Sequence, residues 1–588
     1  MKYTFPEETF DLVCIGGGGA AIMAAINAAS AGRKVALVTK DYPGFGNTRL
    51  AVGMAACPGI LPPDSPAIFS EDLLRSGEGI NEKTLVESLS HKGLPALQSL
   101  EELGLYFRRD KEGLITEGVV DQVGGHSLPR SIQNTGGGPA LGAYLKAALY
   151  RYGISIYSNT AALELLAVEG RVCGLLAVDL HHREFVAFHC RNLLIATGGC
   201  SALYYPHTTN SIGAVGDGLT LALQAGARLI DMEQIQAIPF GITHPRSMAG
   251  ALCGEPSTAG PAGRLLNPSG KVILDGGINK MNRAQVTRAM MNALDENGRG
   301  AETADAALLL DLSPNLDLPE GDKIYNRTCK SGIFDIIKIA YGQQAYRWKE
   351  PWSVLPTFHY QMGGILTDAN GHTGIEGLLA AGEVQGGLHG GNRLGSTALT
   401  EIYSAGIEAG KAVSRGVGTG VKTSSAVTGN FPARSAIEAL LQQKKARWED
   451  KLAGKGSNNP LKLRRRLENS MWQFAGPLRS EKGLQQALEN LALLEQESRS
   501  LAIDPLKTAN RQLLDAVELL MMLPAARALV LSALERRESR GAHLRTDYPQ
   551  TDDNNYLCHT FISATADGSL KSGLLSIGCV AEQAPDQH

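Results

Sequence analysis

The sequence predicts an α/β fold that opens with a strand–helix–strand unit and ends in a bundle of helices. Near the N-terminus, residues 11–31 comprise a short apolar run, four glycines and an alanine-rich stretch. Beyond about residue 430, apolar residues recur at the spacing of helix faces. The chain has 588 residues, of which 43% are hydrophobic, so its length suggests about three or four domains.

The N-terminal unit has the organisation of a nucleotide-binding turn. Residues 11–15 form a predicted strand, a helix runs to about residue 31, and residues 34–39 form a second strand. Gly16 and Gly18 lie in the connecting turn, where the absence of a side chain lets the backbone approach a pyrophosphate at the helix N-terminus. The unit therefore predicts a Rossmann-like dinucleotide site.

The residues that follow this turn indicate which dinucleotide it binds. An acid often follows the second strand and binds the ribose of a nicotinamide cofactor, whereas this chain has Thr39 and Lys40. Ala21 stands where a third glycine would let the helix and strand pack closely. The site therefore gives little support to a nicotinamide cofactor. A glycine-rich turn without any ligand is the remaining alternative.

A second glycine-rich block interleaves turns with polar residues. Residues 359–410 read HYQMGGILTDANGHTGIEGLLAAGEVQGGLHGGNRLGSTALTEIYSAGIEAG. Glycines at this density let the backbone approach a ligand and interrupt regular structure, so the polar residues between them are candidates for chemistry. The block resembles the flavoprotein subunit of the fumarate reductase and succinate dehydrogenase family, whose pattern HYxMGGI...GLxAxGE...GLHGxNRLGxxxLxE is matched throughout.

The resemblance implies a fold and a cofactor. The family has a Rossmann-like two-dinucleotide-binding flavoprotein domain with an inserted capping domain, followed by a helical bundle and a small C-terminal subdomain. Its members carry a similar Ser/Thr-Lys pair after the second strand and bind FAD, and residues 196–199 resemble a turn common to such flavoproteins. The implied FAD-binding residues are Gly16, Gly18, Gly19, Ala21, Thr39, Lys40, Asn47, Thr48, Gly53, Ala196, Thr197, Gly198, Asp217, Glu383, Ala398 and Leu399.

Two of these residues carry further expectations. Asp217 opens a predicted helix, so it is either a simple helix cap or, as the resemblance implies, an FAD contact. Asn47 occupies the position of the histidine to which some family members attach FAD covalently. An amide cannot form that bond, so we expect non-covalent FAD. By analogy the flavin potential is lower, which favours the reducing direction.

Reduction of an alkene acid requires a hydride, a proton and cations that polarise the carboxylates. The resemblance gives catalytic roles to Arg283, His359 and Arg393, with Arg283 as proton donor and the other two binding a substrate carboxylate. Ala284 replaces the aspartate of the family motif RDxVSxA. Arginine is almost always protonated, so a purely electrostatic clamp is the alternative role for Arg283. His359 could instead be a structural histidine.

Two departures from the family pattern concern the substrate. Where the family has QFHPTG or QYHPTG, residues 236–241 place Ile238 at the position of a substrate-binding histidine. The family loop TEGxRGEGG is replaced by residues 254–263, which lack its arginine, and Glu255 is the candidate for its substrate-binding acid. We therefore expect an unsaturated or saturated acid related to fumarate, with a less polar group near Ile238.

The chain divides by composition and by resemblance. We expect an FAD-binding domain from two segments, a capping domain rich in Pro, Asn and Asp, a Gly/Ser/Thr-rich linker, a helical domain and a C-terminal subdomain. The respective residues are 1–235 with 356–414, then 236–355, 415–430, 431–537 and 538–588. In the helical domain one face carries Ile437, Leu440, Leu441 and Trp448, and the basic run Lys462, Arg464, Arg465 and Arg466 is expected to be a solvated face.

Cysteines and charge limit the partners. The nine cysteines show no CxxC or CxxxC spacing, which argues against an iron-sulfur cluster, zinc or another metal within the chain. An iron-sulfur or other electron-transfer subunit should then be a separate polypeptide. A net charge of -3 gives no case for nucleic acid. We find no apolar run of the roughly 20 residues that span a bilayer, so we expect a cytoplasmic protein, peripheral to a membrane only through a partner.

Three functions remain at this stage. The first is a fumarate-reductase-like flavoprotein subunit that transfers hydride between FAD and a carboxylic acid. The second is an oxidase resembling L-aspartate oxidase, whose tail ESRGxHxRxDYP is similar to residues 538–549. The third is a catalytically silent flavin subunit that only passes electrons. The presence of Arg283, His359 and Arg393 together argues against the third.

Overall fold

The computed structural model describes residues 3–4, 9–295, 307–329, 334–415, 431–504 and 511–578. Most of the predicted linker, from residue 416 onwards, lies outside these residues. The strands are β1 (Tyr3–Thr4), β2 (Thr9–Ile15), β3 (Val35–Val38), β4 (Met54–Ala56), β5 (Val120–Asp121), β6 (Ser131–Gln133), β7 (Ser155–Tyr157), β8 (Thr160–Val168), β9 (Arg171–Asp179), β10 (Glu184–Ile195), β11 (Leu229–Ile230), β12 (Ile235–Ile242), β13 (Leu252–Gly254), β14 (Arg264–Leu266), β15 (Val272–Asp275), β16 (Leu308–Asp311), β17 (Trp352–Gln361), β18 (Gly364–Ile365), β19 (Leu378–Ala380), β20 (Leu478–Arg479), β21 (Leu544–Arg545), β22 (His559–Ala564) and β23 (Leu570–Leu575). The helices are α1 (Gly19–Ser30), α2 (Asn47–Leu50), α3 (Pro66–Ser76), α4 (Lys83–Glu102), α5 (Gly137–Leu149), α6 (Asp217–Gln224), α7 (Arg283–Asp295), α8 (Gly321–Cys329), α9 (Asp335–Tyr346), α10 (Thr397–Arg415), α11 (Arg434–Lys451), α12 (Pro460–Ala475), α13 (Glu481–Glu497), α14 (Arg511–Glu535) and α15 (Asp553–Tyr556).

The largest sheet contains the predicted strand–helix–strand unit. Its strands follow the order β7-β3-β2-β10-β9-β8, and β1 and β19 also pair with β10. Strands β7, β3, β2, β10 and β19 run parallel. The chain leaves this sheet after β10 and returns to it with β19, so a discontinuous α/β unit surrounds an inserted region. This confirms the predicted fold class.

The inserted region forms a second sheet, of the order β13-β12-β17-β16-β14-β15. Helix α7 packs on β12 and places Arg283 at its own N-terminal end. Strand β17 is continuous from Trp352 to Gln361 and therefore runs through the predicted boundary between residues 355 and 356. The predicted boundary therefore falls inside a strand of the inserted sheet, and the predicted domain limits stay a prediction.

Helices α12, α13 and α14 form the predicted C-terminal bundle, and α11 packs against β8 and β9 of the large sheet. Ile437, Leu441 and Trp448 are buried and Leu440 packs partly buried against the same core, as their helical spacing predicts. Helix α14 packs against α12 and α13. Among the described residues it is the one helix long and apolar enough to cross a membrane, and 72% of its most apolar stretch is buried in the protein. Its burial, together with Asp515, Glu518 and Arg527 along its length, identifies α14 as a core helix rather than a continuous apolar run.

The basic run on α12 is not a uniformly solvated face. Lys462, Arg465 and Arg466 are exposed, but Arg464 is only 4% exposed. Arg464 donates from Nε to Glu468 Oε1 at 2.8 Å and pairs through Nη1 with Glu518 Oε2 at 2.5 Å. The expectation was wrong for Arg464 because partners on α12 and α14 make its burial tolerable.

The C-terminal strands β22 and β23 extend a small sheet through β11 to β18. Below it, the fully buried Arg536 pairs with Asp231 at 3.1 Å, Glu233 at 2.5 Å and Glu538 at 2.9 Å. These carboxylates come from widely separated parts of the chain. Removal of a partner from such a buried group leaves an uncompensated charge, so this cluster fixes the C-terminal part against the segment that follows α6.

Candidate active site

The glycine turn after β2 packs against the end of β10. A Cβ at Gly16 would lie 2.2 Å from the Ala196 carbonyl oxygen, and its φ is +126°, so the position requires glycine. Gly18 precedes α1 without a side-chain cap, and Gly19 N donates to Thr48 Oγ1 at 3.0 Å. The structure thus brings these predicted FAD-binding residues together.

The same region offers polar groups and space that fit FAD. Thr197 Oγ1 is buried without a hydrogen-bond partner among the described residues. No atom lies within 4 Å of a Cβ built on Gly198, whose φ is +80°. Ala398 and Leu399 lie in the first turn of α10, which contains no acidic residue. Two helix N-termini, those of α1 and α10, are therefore free of acidic side chains and suited to an anionic cofactor.

Three predicted residues have mainly structural surroundings. Ala21 is fully buried in α1, which agrees with close helix–strand packing rather than with side-chain contact to a ligand. A Cβ on Gly53 would lie 2.2 Å from Asn134 Oδ1. Thr39 is buried, and its Oγ1 accepts a bond from Asp41 N at 3.4 Å.

Lys40 and Asp217 bind each other. Lys40 Nζ lies 2.8 Å from Asp217 Oδ2 and 3.0 Å from Glu518 Oε1. These two carboxylates raise the pKa of Lys40 against the opposing effect of burial. Asp217 is the first residue of α6, and it also accepts from Gly218 N at 3.1 Å. The structure therefore adds an ion pair with Lys40 to the two roles, helix cap and FAD contact, that the sequence left open for Asp217. It also places Glu518 beside Lys40, a residue that sequence reasoning missed.

Asn47 is engaged in protein contacts. Its Nδ2 donates to Asn210 Oδ1 at 2.6 Å, and its Oδ1 accepts from Ser211 N at 2.9 Å. A weaker contact of 3.4 Å joins Nδ2 to Glu383 Oε2. Glu383 is buried and accepts from Gln361 N at 3.1 Å, and burial raises the pKa of Glu383 to about 7. Asn47 and Glu383 thus lie side by side, and their role as cofactor residues stays a prediction.

Arg283 is held at three points. Its Nε and Nη2 donate to the two carboxylate oxygens of Glu255 at 2.9 and 2.7 Å, and Nη1 donates to Gln236 Oε1. This bidentate pairing fixes the plane of the guanidinium. Glu255 therefore lies beside the proposed proton donor and is paired with it, and its role as a substrate-binding acid stays a prediction.

His359 is oriented by its neighbours. Its Nδ1 lies 2.7 Å from Thr209 Oγ1, and its backbone carbonyl accepts from Asn210 Nδ2 at 2.6 Å. Burial, followed by the positive charges of Arg393 and Arg283, holds the pKa of His359 well below its ordinary value. The imidazole is consequently neutral. Because Thr209 engages Nδ1, Nε2 is the ring nitrogen left for a ligand.

Arg393 lies beside these groups with spare hydrogen-bonding capacity. It is 4% exposed, donates from Nη1 to Leu394 O at 3.0 Å, and lies 4.8 Å from the centre of the Tyr360 ring. Its buried Nε has no partner among the described residues. Burial, and then repulsion by Arg283, lower the pKa of Arg393 to about 10. An anionic ligand would relieve this repulsion.

Sequence reasoning missed the residues that connect the site. Gln236 accepts from Arg283 and donates from Nε2 to Asn392 Oδ1 at 2.8 Å and to Arg393 O at 3.0 Å. Gln236 therefore links Arg283, on the helix that packs on the inserted sheet, to Arg393 in the 359–410 block. Its place in the QFHPTG-like segment was the available signal.

A second group of missed residues lies behind Arg393. Tyr360 donates its hydroxyl to Glu401, and His389 Nε2 lies 2.9 Å from Glu401 Oε2. Burial, and then the charge of Glu401, raise the pKa of Tyr360 far above its ordinary value. The tyrosine therefore keeps its proton and presents an uncharged ring to Arg393.

At Ile238 and Ala284, where this chain departs from the family motifs, the side chains are uncharged. Ile238 is fully buried and pairs with Thr357 between β12 and β17, so its own side chain offers no polar atom there. Ala284 follows Arg283 on α7. In the part of the chain that the structure describes, no group of three or more His, Cys, Asp or Glu side chains could hold a metal ion.

Comparisons with known proteins agree with this arrangement. Residues 11–399 match the family described as FAD binding domain, and residues 464–576 match the family described as Fumarate reductase flavoprotein C-term. The chain is 33% identical to one subunit of the fumarate reductase (CoM/CoB) of Methanothermobacter marburgensis, over 92% of this chain and 95% of that one. It is 31% identical to the fumarate reductase flavoprotein subunit of Escherichia coli, over 96% and 93% respectively.

Solved structures show the same likeness. A variant of the E. coli quinol fumarate reductase FrdA superposes with a TM-score of 0.85 at 29% identity, covering 98% of this chain and 97% of that one. Mycobacterium smegmatis Sdh1 gives a TM-score of 0.83 at 27% identity, covering 98% and 95%. These findings favour the first of the three functions over the two alternatives. The chain therefore belongs to the FAD-dependent oxidoreductases of the fumarate reductase and succinate dehydrogenase flavoprotein family.

Proposed function

We propose that this chain transfers a hydride between FAD and a small carboxylic acid, with reduction of a carbon–carbon double bond as the favoured direction. The observation that carries the proposal is the convergence of Arg283, His359 and Arg393. Gln236 joins the two arginines through hydrogen bonds. The positive charges of Arg283 and Arg393 lower the pKa of His359, and Arg283 lowers the pKa of Arg393, so the three side chains are near neighbours. Such a set of donors suits an acid whose carboxylate gains negative charge during reaction.

Arg393 and His359 bind the substrate carboxylate in this proposal. The free Nε and planar fork of Arg393 match a carboxylate. In this proposal Thr209 donates to Nδ1, so neutral His359 carries its proton on Nε2 and donates a hydrogen bond from Nε2 to the same acid. FAD, when bound, supplies the hydride. Both residues stabilise charge that develops as the hydride adds.

Arg283 donates the proton to the neighbouring carbon. Its guanidinium is fixed by Glu255 and Gln236, and three bonds of this kind leave it little freedom to move away from the reacting carbon. A general acid within hydrogen-bond reach contributes about 10²–10⁴-fold. The alternative, a cation that only clamps the substrate, would leave residual turnover when lysine replaces arginine.

The substrate differs from fumarate at one end. A second carboxylate would lack its histidine, because Ile238 is fully buried and apolar. We therefore propose a monocarboxylic or less polar enoic acid, and we expect fumarate to be a poorer substrate. Fumarate turnover as efficient as that of a dedicated fumarate reductase would contradict this proposal.

The FAD is held without a covalent bond. The Asn47 amide cannot form the linkage, and it is already bonded to Asn210 and Ser211 N. Acid precipitation should therefore release the yellow colour into solution. Protein that stays yellow after precipitation and washing would contradict this assignment.

A separate redox protein exchanges electrons with this chain. The cysteines described in the structure are unpaired and scattered, and most are buried. They include no spacing suited to an iron-sulfur cluster. Several relatives are named as subunits. We propose that the partner is an iron-sulfur or other electron-transfer subunit, through which this chain is peripheral to a membrane.

The deciding experiment follows flavin reoxidation. The purified chain is checked for FAD by its spectrum, reduced anaerobically, and mixed with fumarate, with monocarboxylic enoic acids, and with oxygen after L-aspartate as donor. We expect rapid reoxidation by an enoic acid and loss of that reaction in Arg283→Ala. Arg288→Ala, on the same helix, is the matched control. Turnover of L-aspartate with oxygen, or no response to any acid, would contradict the proposal.

A further inference from the structure

Arg393 is a buried cation that the protein holds without a carboxylate in direct contact. Arg283, by contrast, pairs with the carboxylate of Glu255. Among the described residues, the guanidinium of Arg393 makes a single hydrogen bond, from Nη1 to Leu394 O at 3.0 Å, and no ion pair. Its central carbon lies 4.8 Å from the centre of the Tyr360 ring. The negative face of an aromatic ring attracts a cation, and this attraction occupies none of the N–H groups of Arg393.

The Tyr360 ring is itself tied to a buried acid. Its hydroxyl donates to Glu401 Oε2, and the same oxygen lies 2.9 Å from His389 Nε2. The His389 ring also packs edge-on against the Tyr360 ring, with the ring centres 5.4 Å apart. Glu401 is 2% exposed, and in such surroundings a hydrogen bond to a carboxylate is strong and polarises its donor. The bond therefore shifts electron density into the ring and makes the face that Arg393 contacts more negative.

We propose that Glu401 is a positioning residue that holds Arg393 for the substrate carboxylate by polarising Tyr360. The inference rests on the part of the proposed function in which Arg393 binds that carboxylate. Because the attraction uses the face of the ring, the buried Nε of Arg393 keeps its N–H free for the substrate. A carboxylate in direct contact would occupy that donor, and the substrate would have to displace it.

The sign of the effect distinguishes this role from simple electrostatics. If the negative charge of Glu401 acted only through space, its removal would make the site more positive and would tighten the binding of an anionic acid. If Glu401 acts through Tyr360, its removal weakens the attraction between the ring and Arg393, and the acid binds more weakly. For Glu401→Gln we expect the dissociation constant of the acid to rise about fivefold, within the range of one cation–π interaction.

Calorimetric titration of the oxidised, FAD-loaded protein measures binding without turnover. Crotonate is the monocarboxylic probe, and crotonamide is the matched probe of similar shape without a charge. Tyr360→Phe keeps the ring but loses the bond to Glu401, so it should weaken crotonate binding about fivefold, as Glu401→Gln does. Crotonamide should respond to neither change. Because both changes break one chain of contacts, the double variant should bind crotonate no more weakly than either single variant.

A second acid on the same helix provides the control. Glu408 lies two turns beyond Glu401 on α10 and is similarly buried, but it pairs with Lys92 at 2.9 Å. Glu408→Gln should therefore bind crotonate as the wild type does. Bound FAD and Tm are recorded for every variant, so that a loss of affinity is compared only among proteins that keep their fold and cofactor.

The outcomes separate this inference from the proposed function. Unchanged or tighter binding of crotonate by Glu401→Gln would overturn the inference, as would additive losses in the double variant or equal losses for crotonate and crotonamide. If the wild type binds crotonate with the expected dependence on Glu401 but no acid reoxidises its flavin, the proposed reaction fails and the inference stands. If the wild type binds neither crotonate nor fumarate, the carboxylate role of Arg393 fails and the inference fails with it.

Discussion

Replacement of Gln236 by methionine tests whether the two arginines act as one unit. The change keeps the length of the side chain but removes three hydrogen bonds, to Arg283, to Asn392 and to Arg393 O. A hydrogen bond to a charged group contributes about 1.5–3 kcal/mol. If about 2 kcal/mol of that is lost in the transition state, kcat falls about 30-fold. Gln236 does not itself hold the substrate in our scheme, so KM should change less.

The assay is anaerobic steady-state reduction of the best enoic acid, with the FAD spectrum and thermal unfolding recorded for each variant. Gln234→Met is the matched control, because Gln234 is also buried and precedes the same strand, but its amide contacts Arg540 O. That control should retain near-wild-type kcat. A Gln236→Met variant that binds FAD normally and keeps kcat within threefold of the wild type would refute the linkage of the two arginines.

Three further predictions concern the neighbouring residues. Thr209→Val should raise the KM for the acid about tenfold in steady-state kinetics, because His359 loses the hydroxyl that fixes its tautomer; Thr209→Ser should not. Glu518→Gln should weaken FAD binding in a fluorescence titration by removing one of the two carboxylates on Lys40; unchanged affinity would contradict that role. In the FAD-free protein, burial raises the pKa of Glu383 to about 7. The folded state therefore loses stability as the pH rises from the ordinary carboxyl range through 7, because a buried carboxylate must then carry charge. Glu383→Gln should raise the Tm more at pH 8 than at pH 5 and remove this pH dependence.

The parts of the site that could be predicted are those in which the backbone itself imposes the residue. Gly16 cannot carry a side chain because the Ala196 carbonyl lies against it, and a turn of this kind leaves a local pattern in the sequence. The first strand and helix were predicted to within about two residues for the same reason, since their periodicity is local. Arg283, His359 and Arg393 were found by resemblance, and the structure places them together.

The parts that could not be predicted depend on partners distant in the chain. Arg464 belongs to a run with the pattern of an exposed face, yet it is buried and forms an ion pair with Glu518, 54 residues away. The three hydrogen bonds of Gln236 reach residues 47, 156 and 157 positions away. Periodicity reports which face of a helix is apolar, but it does not report which charge finds a buried partner.

Glu518 shows why this limit matters for function. Its helix, α14, is apolar enough to be assigned to packing alone, and an acid within it would ordinarily be costly. The acid is retained between Lys40 and Arg464, and Arg464 Nη2 in turn donates to Ile212 O at 2.6 Å. Ile212 belongs to the segment that also holds Asn47 through Ser211 N. The helical bundle therefore helps to position the residues predicted to bind FAD, so its packing and the proposed flavin chemistry do not belong to independent parts of the chain.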